Sequence, residues 1–328
     1  MATIPEHALI GRAQQIPTSV ATSTLSLSPL ILSIPNRPVP LQLRMTIPTS
    51  GSRLPIILLS HGQGASNNLS SLNGYGPLVN FWASHGFAVI QPTHLSSKTL
   101  KFEEKDMTDG PLFWKSRVED FKSILDKNEE IEETFQAAKG RLDWNRVAIA
   151  GHSMGAHTAE LLLGAQSKNQ ATKEIVNMLE PRIKAGVLIG APGCDPGGET
   201  QSPMARKLAP FFADTSFGEM VTPALVVHGD ADLPDYLTTR GLEWHTDPYT
   251  LSPGPKSLLT LFGAGHIFGG VSGWDAKECD DENVERCAVV QRMTWAYLRS
   301  QLDTQDKAWE VACQALVELK DVGMLESK

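Results

Sequence analysis

The pentapeptide Gly151-His152-Ser153-Met154-Gly155 constrains the possible folds of this chain more than any other segment. It directly follows the apolar run 147–150 and precedes a helical pattern. A strand, a Gly-x-Ser-x-Gly turn and a helix together require a sharp bend. Glycines flank the serine because a Cβ at either position would collide with a neighbouring strand or helix. We therefore expect Ser153 Oγ to project beyond the edge of a sheet, with the Met154 N–H directed at the same point.

Short apolar segments alternate with helical patterns from residue 55 onward. The predicted strands cover residues 55–59, 87–90, 147–150, 185–189, 224–227 and 257–262, and the predicted helices cover residues 77–84, 114–125, 154–165, 283–302 and 309–319. Such alternation is typical of a parallel sheet whose strands are covered on both faces. Two further strands, at 30–34 and 41–47, flank a turn and predict a hairpin. The sequence therefore predicts an α/β fold, with a mostly parallel central sheet, helices on both faces and an antiparallel N-terminal hairpin at one edge.

The domain organisation follows from length and loop positions. Residues 1–24 are polar and contain several serines, threonines and prolines, so we expect a loosely ordered N-terminal arm. Residues 25–328 are interpreted as one domain, because α/β proteins often reach this length with a single core. The long connection 193–220 separates two predicted strands. Long loops inside compact domains are often lids or binding loops, so we predict a lid insertion here, with a plain surface insertion as the alternative.

Charge and apolar patterning exclude several classes of function. The formal net charge is −8, whereas a nucleic-acid-binding surface is basic. No apolar run approaches the ~20 residues that a membrane-spanning helix needs. The N-terminus lacks the basic start and apolar core of a secretory signal. We expect a cytoplasmic protein that acts on a small molecule, without nucleic acid and without a membrane span. The sequence leaves the oligomeric state open.

The cysteine content agrees with a cytoplasmic location. The chain has four cysteines, too few for a disulfide-rich secreted scaffold: Cys194, Cys279, Cys287 and Cys313. Free thiols are favoured, although Cys279 and Cys287 are close enough in sequence to pair under oxidising conditions. The spacings match no zinc pattern, so we expect no metal and no cofactor.

A serine hydroxyl is a poor nucleophile until a base removes its proton, so Ser153 needs a histidine nearby. Of the nine histidines, His266 alone lies in a glycine-rich turn directly after a late strand, which makes it the candidate base. A carboxylate must orient that histidine and stabilise its protonated form. The candidates are three acidic residues that follow the predicted strand 224–227: Asp230, Asp232 and Asp235.

A second glycine-rich turn, Ser60-His61-Gly62-Gln63-Gly64, follows the predicted central strand 55–59. A turn of this kind can direct a backbone N–H at a developing oxyanion. An ordinary loop after a strand is the alternative interpretation. We expect His61 to hold this loop in place rather than to transfer protons.

Together these motifs resemble the α/β-hydrolase superfamily, in particular its dienelactone-hydrolase-like branch, which is related to platelet-activating-factor acetylhydrolases and chlorophyllases. The resemblance rests on residues 58–64, 82–89, 151–155 and 263–266, and it extends over most of the chain. Dienelactone hydrolases have a cysteine at the position of Ser153, so the resemblance does not imply the lactone cleavage of those enzymes.

The resemblance also implies roles for individual residues. In this superfamily the acid usually comes three residues after the glycine of a His-Gly turn, which favours Asp232 over Asp230 and Asp235. One oxyanion donor follows the His-Gly pair of the first turn, and the other follows the serine. The implied site consists of a catalytic triad and two backbone donors: Ser153, Asp232, His266, Gln63 and Met154.

We therefore predict a serine hydrolase that cleaves a carboxylic ester of a small molecule through an acyl-enzyme intermediate. A lactonase, an amidase or an acyltransferase with the same triad is one alternative, and a non-catalytic ligand-binding protein of this fold is another. From their position in the sequence, we expect three residues to line the substrate pocket: His94, Trp114 and Phe268. Core packing accounts for these three equally well.

Overall fold

The computed structural model describes residues 8–102, 110–168 and 172–328. The strands in these residues are β1 (Thr24–Leu32), β2 (Leu41–Pro48), β3 (Leu54–Ser60), β4 (Ala88–Pro92), β5 (Leu142–His152), β6 (Gln166–Lys168), β7 (Ile175–Asn177), β8 (Ile183–Ile189), β9 (Ala224–Gly229), β10 (Lys256–Leu261) and β11 (Gly323–Ser327). Nine of them form one sheet in the order β1-β2-β4-β3-β5-β8-β9-β10-β11, and β6 pairs with β7 separately. Neighbours from β4 to β10 run parallel, whereas β1, β2 and β11 pair antiparallel. The predicted α/β fold, with its mostly parallel sheet and N-terminal hairpin, is confirmed.

Apolar residues fill the central strands on both faces of the sheet. Every residue of β4, β9 and β10 is buried. In β3, Ile56 and Leu58 belong to the core on one face, and Ile57 and Leu59 belong to the core on the other. The edge strand β1 exposes most of its residues. The continuous apolar runs in the sequence therefore mark the strands that helices cover on both sides.

Helices cover both faces of the sheet. In the described residues the α-helices are α1 (Asn67–Ser70), α2 (Gly76–Ser84), α3 (Trp114–Asp126), α4 (Asn128–Thr134), α5 (Met154–Leu162), α6 (Pro203–Leu208), α7 (Asp247–Thr250), α8 (Val284–Leu302) and α9 (Ala308–Val317). Apolar side chains of α2, α8 and α9 pack on one face, and those of α3, α4 and α5 pack on the other. Among the helices of the described residues, none combines the length and the apolar character of a membrane span.

Within the predicted N-terminal arm, residues 1–7 lie outside the described part, and most of residues 9–24 are exposed or half-buried, but two side chains are anchored in the core. Ala8–Gln15 forms two 3-10 stretches on either side of a kink at Gly11, and both Ala13 and Ile16 are fully buried in the core beneath α8. Arg292 of α8 donates a hydrogen bond to Ile16 O at 2.5 Å. The polar composition of the segment hides these few apolar anchors, which hold it against the helix.

Candidate active site

Ser153 occupies the bend between β5 and α5. Its φ of 56° and ψ of −121° lie outside the regions that residues other than glycine favour. The flanking glycines make the bend possible. A Cβ on Gly151 would lie 2.0 Å from Gly155 O, and a Cβ on Gly155 would lie 2.0 Å from Ser60 O. The Ser153 N–H donates to Ile189 O at 2.9 Å, which ties the bend to β8. The strained serine is therefore held in place by its surroundings.

His266 and Asp232 form a hydrogen-bonded pair. His266 Nδ1 lies 2.9 Å from Asp232 Oδ2 and 3.1 Å from Oδ1. Because a carboxylate accepts, Nδ1 carries the proton and Nε2 is left to exchange protons with another group. Burial acts to lower the pKa of His266, but the charge of Asp232 and its hydrogen bond outweigh burial and raise it. Burial likewise acts to raise the pKa of Asp232, and His266 outweighs it and lowers that pKa.

The two competing carboxylates lie elsewhere. Asp230 is exposed and accepts a hydrogen bond from the Gly263 N–H at 2.5 Å, so it closes the turn that precedes His266. Asp235 is exposed as well. Asp232 is only 4% exposed, and it is the acid that the structure brings to His266.

Ser153 and His266 lie on the wall of one cavity of about 190 Å³, and the residues of both predicted oxyanion donors lie on the same wall. The other lining residues are mostly apolar: Leu112, Gly190, Pro192, Met204, Leu208, Ala209, Phe212, Tyr236, Leu237, Trp244 and His245. The predicted lid segment 193–220 contributes α6 and the turn after it to this wall. A larger cavity, of about 350 Å³, has no histidine among its described lining residues.

The backbone N–H groups of Gln63 and Met154 are the candidate oxyanion donors. Neither donates a hydrogen bond to another residue in the described ranges, so both are available to an oxygen in the cavity. Met154 begins α5, where the first N–H groups of a helix lack partners within the helix. The Gln63 side chain anchors its own loop, because Nε2 donates to Ser96 O at 3.0 Å.

Buried polar residues form hydrogen bonds with the loop 60–64 and hold it in place. Arg117 is fully buried and donates to His61 O and, at 3.2 Å, to Ser60 Oγ. Burial lowers the pKa of Arg117 to about 9. His61 Nε2 accepts a hydrogen bond from the His94 N–H at 3.1 Å. His61 therefore holds the loop, in agreement with the role that the sequence indicates.

The three predicted pocket residues do not line the cavity, and this expectation is corrected. His94 is fully buried, and its Nδ1 lies 2.9 Å from Asp120 Oδ2. Trp114 stacks on Phe211 with their ring centroids 5.6 Å apart. Phe268 is fully buried in the core of the opposite face. Each of these three residues is close in sequence to a loop of the site, but its side chain is packed in the interior and does not reach the cavity wall.

His245 is a site residue that the sequence analysis passed over, because it follows no predicted strand. It lines the cavity, and its Nε2 lies 3.4 Å from Asp232 Oδ2. Its Nδ1 donates to Ala191 O at 2.6 Å. It belongs to the 3-10 helix Gly241–Thr246, a short element without a strong sequence signal.

Asp232, His245 and His266 are also the candidate metal ligands of the site, because their ligand atoms all lie within 4.8 Å of one another. In the structure, the Nδ1 proton of His266 occupies the space between that ring and Asp232. A divalent cation would have to displace this proton to be held by all three side chains.

The chlorophyllase family model matches residues 18–192, which is 175 of the 328 residues, and no curated protein matches the chain. The matched segment includes the loop 60–64 and Ser153, and Asp232 and His266 follow it. Because the match covers more than half of a chain with a mostly parallel α/β sheet, this protein belongs to the chlorophyllase family, which is of the α/β-hydrolase type.

Proposed function

We propose that this protein is a serine hydrolase that cleaves a carboxylic ester through an acyl-enzyme intermediate. Membership of the chlorophyllase family indicates an ester hydrolase, and the finer assignment rests on one observation. The hydrogen-bonded pair of His266 and Asp232 shares a cavity with Ser153, whose backbone is held in a strained bend. A nucleophile, a base and an orienting acid are the three parts that acyl transfer of this kind requires.

In the proposed reaction, Ser153 Oγ attacks the ester carbonyl carbon while His266 Nε2 removes the hydroxyl proton. The carbonyl oxygen becomes an oxyanion, which the N–H groups of Gln63 and Met154 stabilise. The adduct then collapses, and the leaving alkoxide takes the proton from His266 and departs as the alcohol. Water attacks the acyl-serine in the same way and releases the acid. Asp232 stabilises the imidazolium in both halves of the reaction.

The cavity wall favours an uncharged, apolar group of the substrate. Its described lining residues include no aspartate, glutamate, lysine or arginine, and Leu208, Phe212 and Trp244 provide apolar surface. The volume of about 190 Å³ is below the ~300–1,000 Å³ typical of sites that enclose a drug-sized ligand. We therefore propose that the cavity holds one apolar group of the ester, and that the remainder extends towards solvent.

The substitution Ser153→Ala tests this proposal. We expect hydrolysis of p-nitrophenyl esters to fall by roughly 10⁴-fold or more, because the nucleophile is lost. The thermal unfolding midpoint should stay close to that of the wild type, because alanine adds no atom to the bend. Ser123→Ala, in α3, serves as a control for the loss of one hydroxyl outside the cavity. Undiminished ester hydrolysis by the Ser153→Ala variant would refute the mechanism.

Two further measurements separate the competing functions. Covalent labelling of Ser153 by an active-site phosphonate, located by mass spectrometry, distinguishes an enzyme from a non-catalytic binding protein. Product analysis with added alcohols, and with lactone and amide substrates, distinguishes hydrolysis of esters from the other reactions of the same triad.

We also propose a cytoplasmic location, which the free thiol state of all four cysteines supports.

A further inference from the structure

We propose that Tyr75 and His152 are positioning residues, which join the three loops of the proposed active site through one chain of hydrogen bonds. Neither residue lines the cavity, and both are fully buried behind it. The inference rests on the proposed function, because it concerns how the groups of that reaction are held.

The hydrogen-bond chain has three links. The Gly62 N–H donates to Tyr75 Oη at 2.8 Å. Tyr75 Oη lies 2.9 Å from His152 Nδ1. His152 Nε2 lies 2.7 Å from the backbone oxygen of His266. The chain therefore runs from the loop after β3, through the end of β5, to the turn after β10.

The protons in this chain have one arrangement. A carbonyl oxygen only accepts, so His152 Nε2 carries a proton and donates it to His266 O. A neutral imidazole has one donor and one acceptor nitrogen, so Nδ1 is the acceptor and faces the Tyr75 hydroxyl, which can donate to it. The hydroxyl proton of Tyr75 then points to His152, and Leu69 O, at 3.4 Å, is the more distant acceptor. Every polar atom of the two side chains is thereby satisfied.

The ends of the chain lie next to the reacting groups. Gly62 precedes Gln63, whose N–H is a proposed oxyanion donor, and His152 precedes the nucleophile Ser153. At its other end, the chain reaches the backbone oxygen of His266, the proposed base. A shift of one loop would therefore be resisted by the other two, since linked buried hydrogen bonds hold one another in place.

Tyr75 is itself held in an unusual conformation. Its φ of 62° is left-handed, at the position that precedes α2. Its N–H donates to Ser272 O at 2.7 Å, in the segment that follows His266. A non-glycine residue persists in such a conformation only where its surroundings determine it strongly. The backbone of Tyr75 thus adds a direct hydrogen bond to the segment that follows His266, which its hydroxyl reaches only through His152.

The first test is nitrogen-15 NMR of the His152 ring in the full-length wild-type protein. We expect a protonated Nε2 and an unprotonated, hydrogen-bonded Nδ1. In Tyr75→Phe the Nδ1 resonance should move to that of a free acceptor nitrogen, while Nε2 stays protonated. A protonated Nδ1 in the wild type, or an Nδ1 resonance that Tyr75→Phe leaves unchanged, overturns the inference. This measurement needs no catalytic activity.

The second test measures kcat and KM for a p-nitrophenyl ester. Tyr75→Phe should lower kcat on the order of tenfold with little change in KM, because a displaced donor weakens the transition state more than substrate binding. Tyr297→Phe removes a hydroxyl from another buried tyrosine, in α8, and should leave both constants unchanged. His152→Phe and the double variant complete a cycle. If the chain acts as a unit, the double variant loses no more than the worse single variant.

The possible outcomes distinguish the two proposals. Multiplied losses in the double variant, or an unchanged kcat in Tyr75→Phe, overturn this inference while the proposed function stands. A wild-type protein without turnover and without labelling of Ser153 overturns the proposed function, and the positioning role falls with it. Thermal unfolding of each variant shows whether a loss of kcat reflects a loss of the fold.

Discussion

The substitution Glu160→Gln should stabilise this protein increasingly as the pH rises. Glu160 lies in α5 and is fully buried, and neither of its carboxyl oxygens bonds to a described residue. Burial raises its pKa well above the usual value, and the charge of Asp247 acts in the same direction. The folded protein therefore keeps a proton on Glu160 under conditions in which the unfolded chain has released it.

The sign of the effect follows from proton binding. At low pH both the folded and the unfolded chain hold the proton, so the group contributes nothing to the pH dependence. Above the ordinary glutamate pKa, the unfolded chain ionises and the folded protein does not. The free energy of unfolding then falls with pH by at most about 1.4 kcal/mol per pH unit, until the buried carboxyl ionises as well. Glutamine has a similar shape and does not titrate, so the variant avoids this loss.

The assay is urea unfolding of both proteins between about pH 5 and about pH 8, the range in which stability is usually greatest. The stability difference between Glu160→Gln and the wild type should increase steadily across this range. Glu129→Gln, on the exposed surface of α4, is the matched control for the loss of one carboxylate. If the difference curve for Glu160→Gln is flat, Glu160 is ionised in the folded protein and our account of its burial is refuted.

Three further predictions concern the site. Asp232→Asn should lower kcat/KM by roughly 10³–10⁴-fold, and the acid limb of the pH–rate profile should move to lower pH, because His266 loses the carboxylate that raises its pKa; an unmoved limb would assign that limb to another group. Gly155→Ala should destabilise the fold by about 3 kcal/mol or more in thermal unfolding, since its Cβ would lie 2.0 Å from Ser60 O. Gly218→Ala, whose Cβ would meet nothing within 4 Å, should be tolerated, and equal effects would contradict the clash. Leu208→Lys should raise KM for apolar esters about tenfold, as expected for the loss of ~1.5 kcal/mol of apolar contact. Leu251→Lys, at an equally exposed leucine outside the cavity, should leave KM unchanged.

The fold was predictable because its signals are local. Each central strand is a short apolar run, and helices follow the runs at regular intervals, so the order of elements fixes a mostly parallel sheet. The edge strand β11 was missed, since Gly323–Ser327 is exposed at most of its positions and has no apolar run. The packing of residues 8–16 was missed for a related reason. It depends on the burial of Ala13 and Ile16 and on hydrogen bonds of Arg12 and Ile16 with residues almost the whole chain away, and nothing in the local sequence marks these contacts.

In the candidate site, too, the residues close to a strand could be predicted from the sequence and the other residues could not. Ser153, Asp232 and His266 each follow a strand closely, so the sheet itself determines where they lie, and position in the sequence is informative. The pocket wall is built differently. Phe212 and Trp244 belong to 3-10 helices inside long connections, and their places depend on tertiary packing rather than on a strand. Reasoning from sequence neighbourhood therefore selected His94, which the core uses for hydrogen bonds.

Two histidines, His245 and His266, lie next to Asp232, and residue spacing in the sequence marks only His266. The hydrogen bond from His245 Nδ1 to Ala191 O spans 54 residues of sequence, and it fixes the ring proton on the nitrogen that faces away from Asp232. Burial lowers the pKa of His245, and the charge of Asp232 acts in the opposite direction. His245 Nδ1 is engaged by Ala191, and His266 Nδ1 is the nitrogen that lies within 3.1 Å of both carboxylate oxygens of Asp232. The place of the His245 ring thus depends on a distant carbonyl oxygen that no local pattern contains, whereas His266 is placed by its own turn after β10.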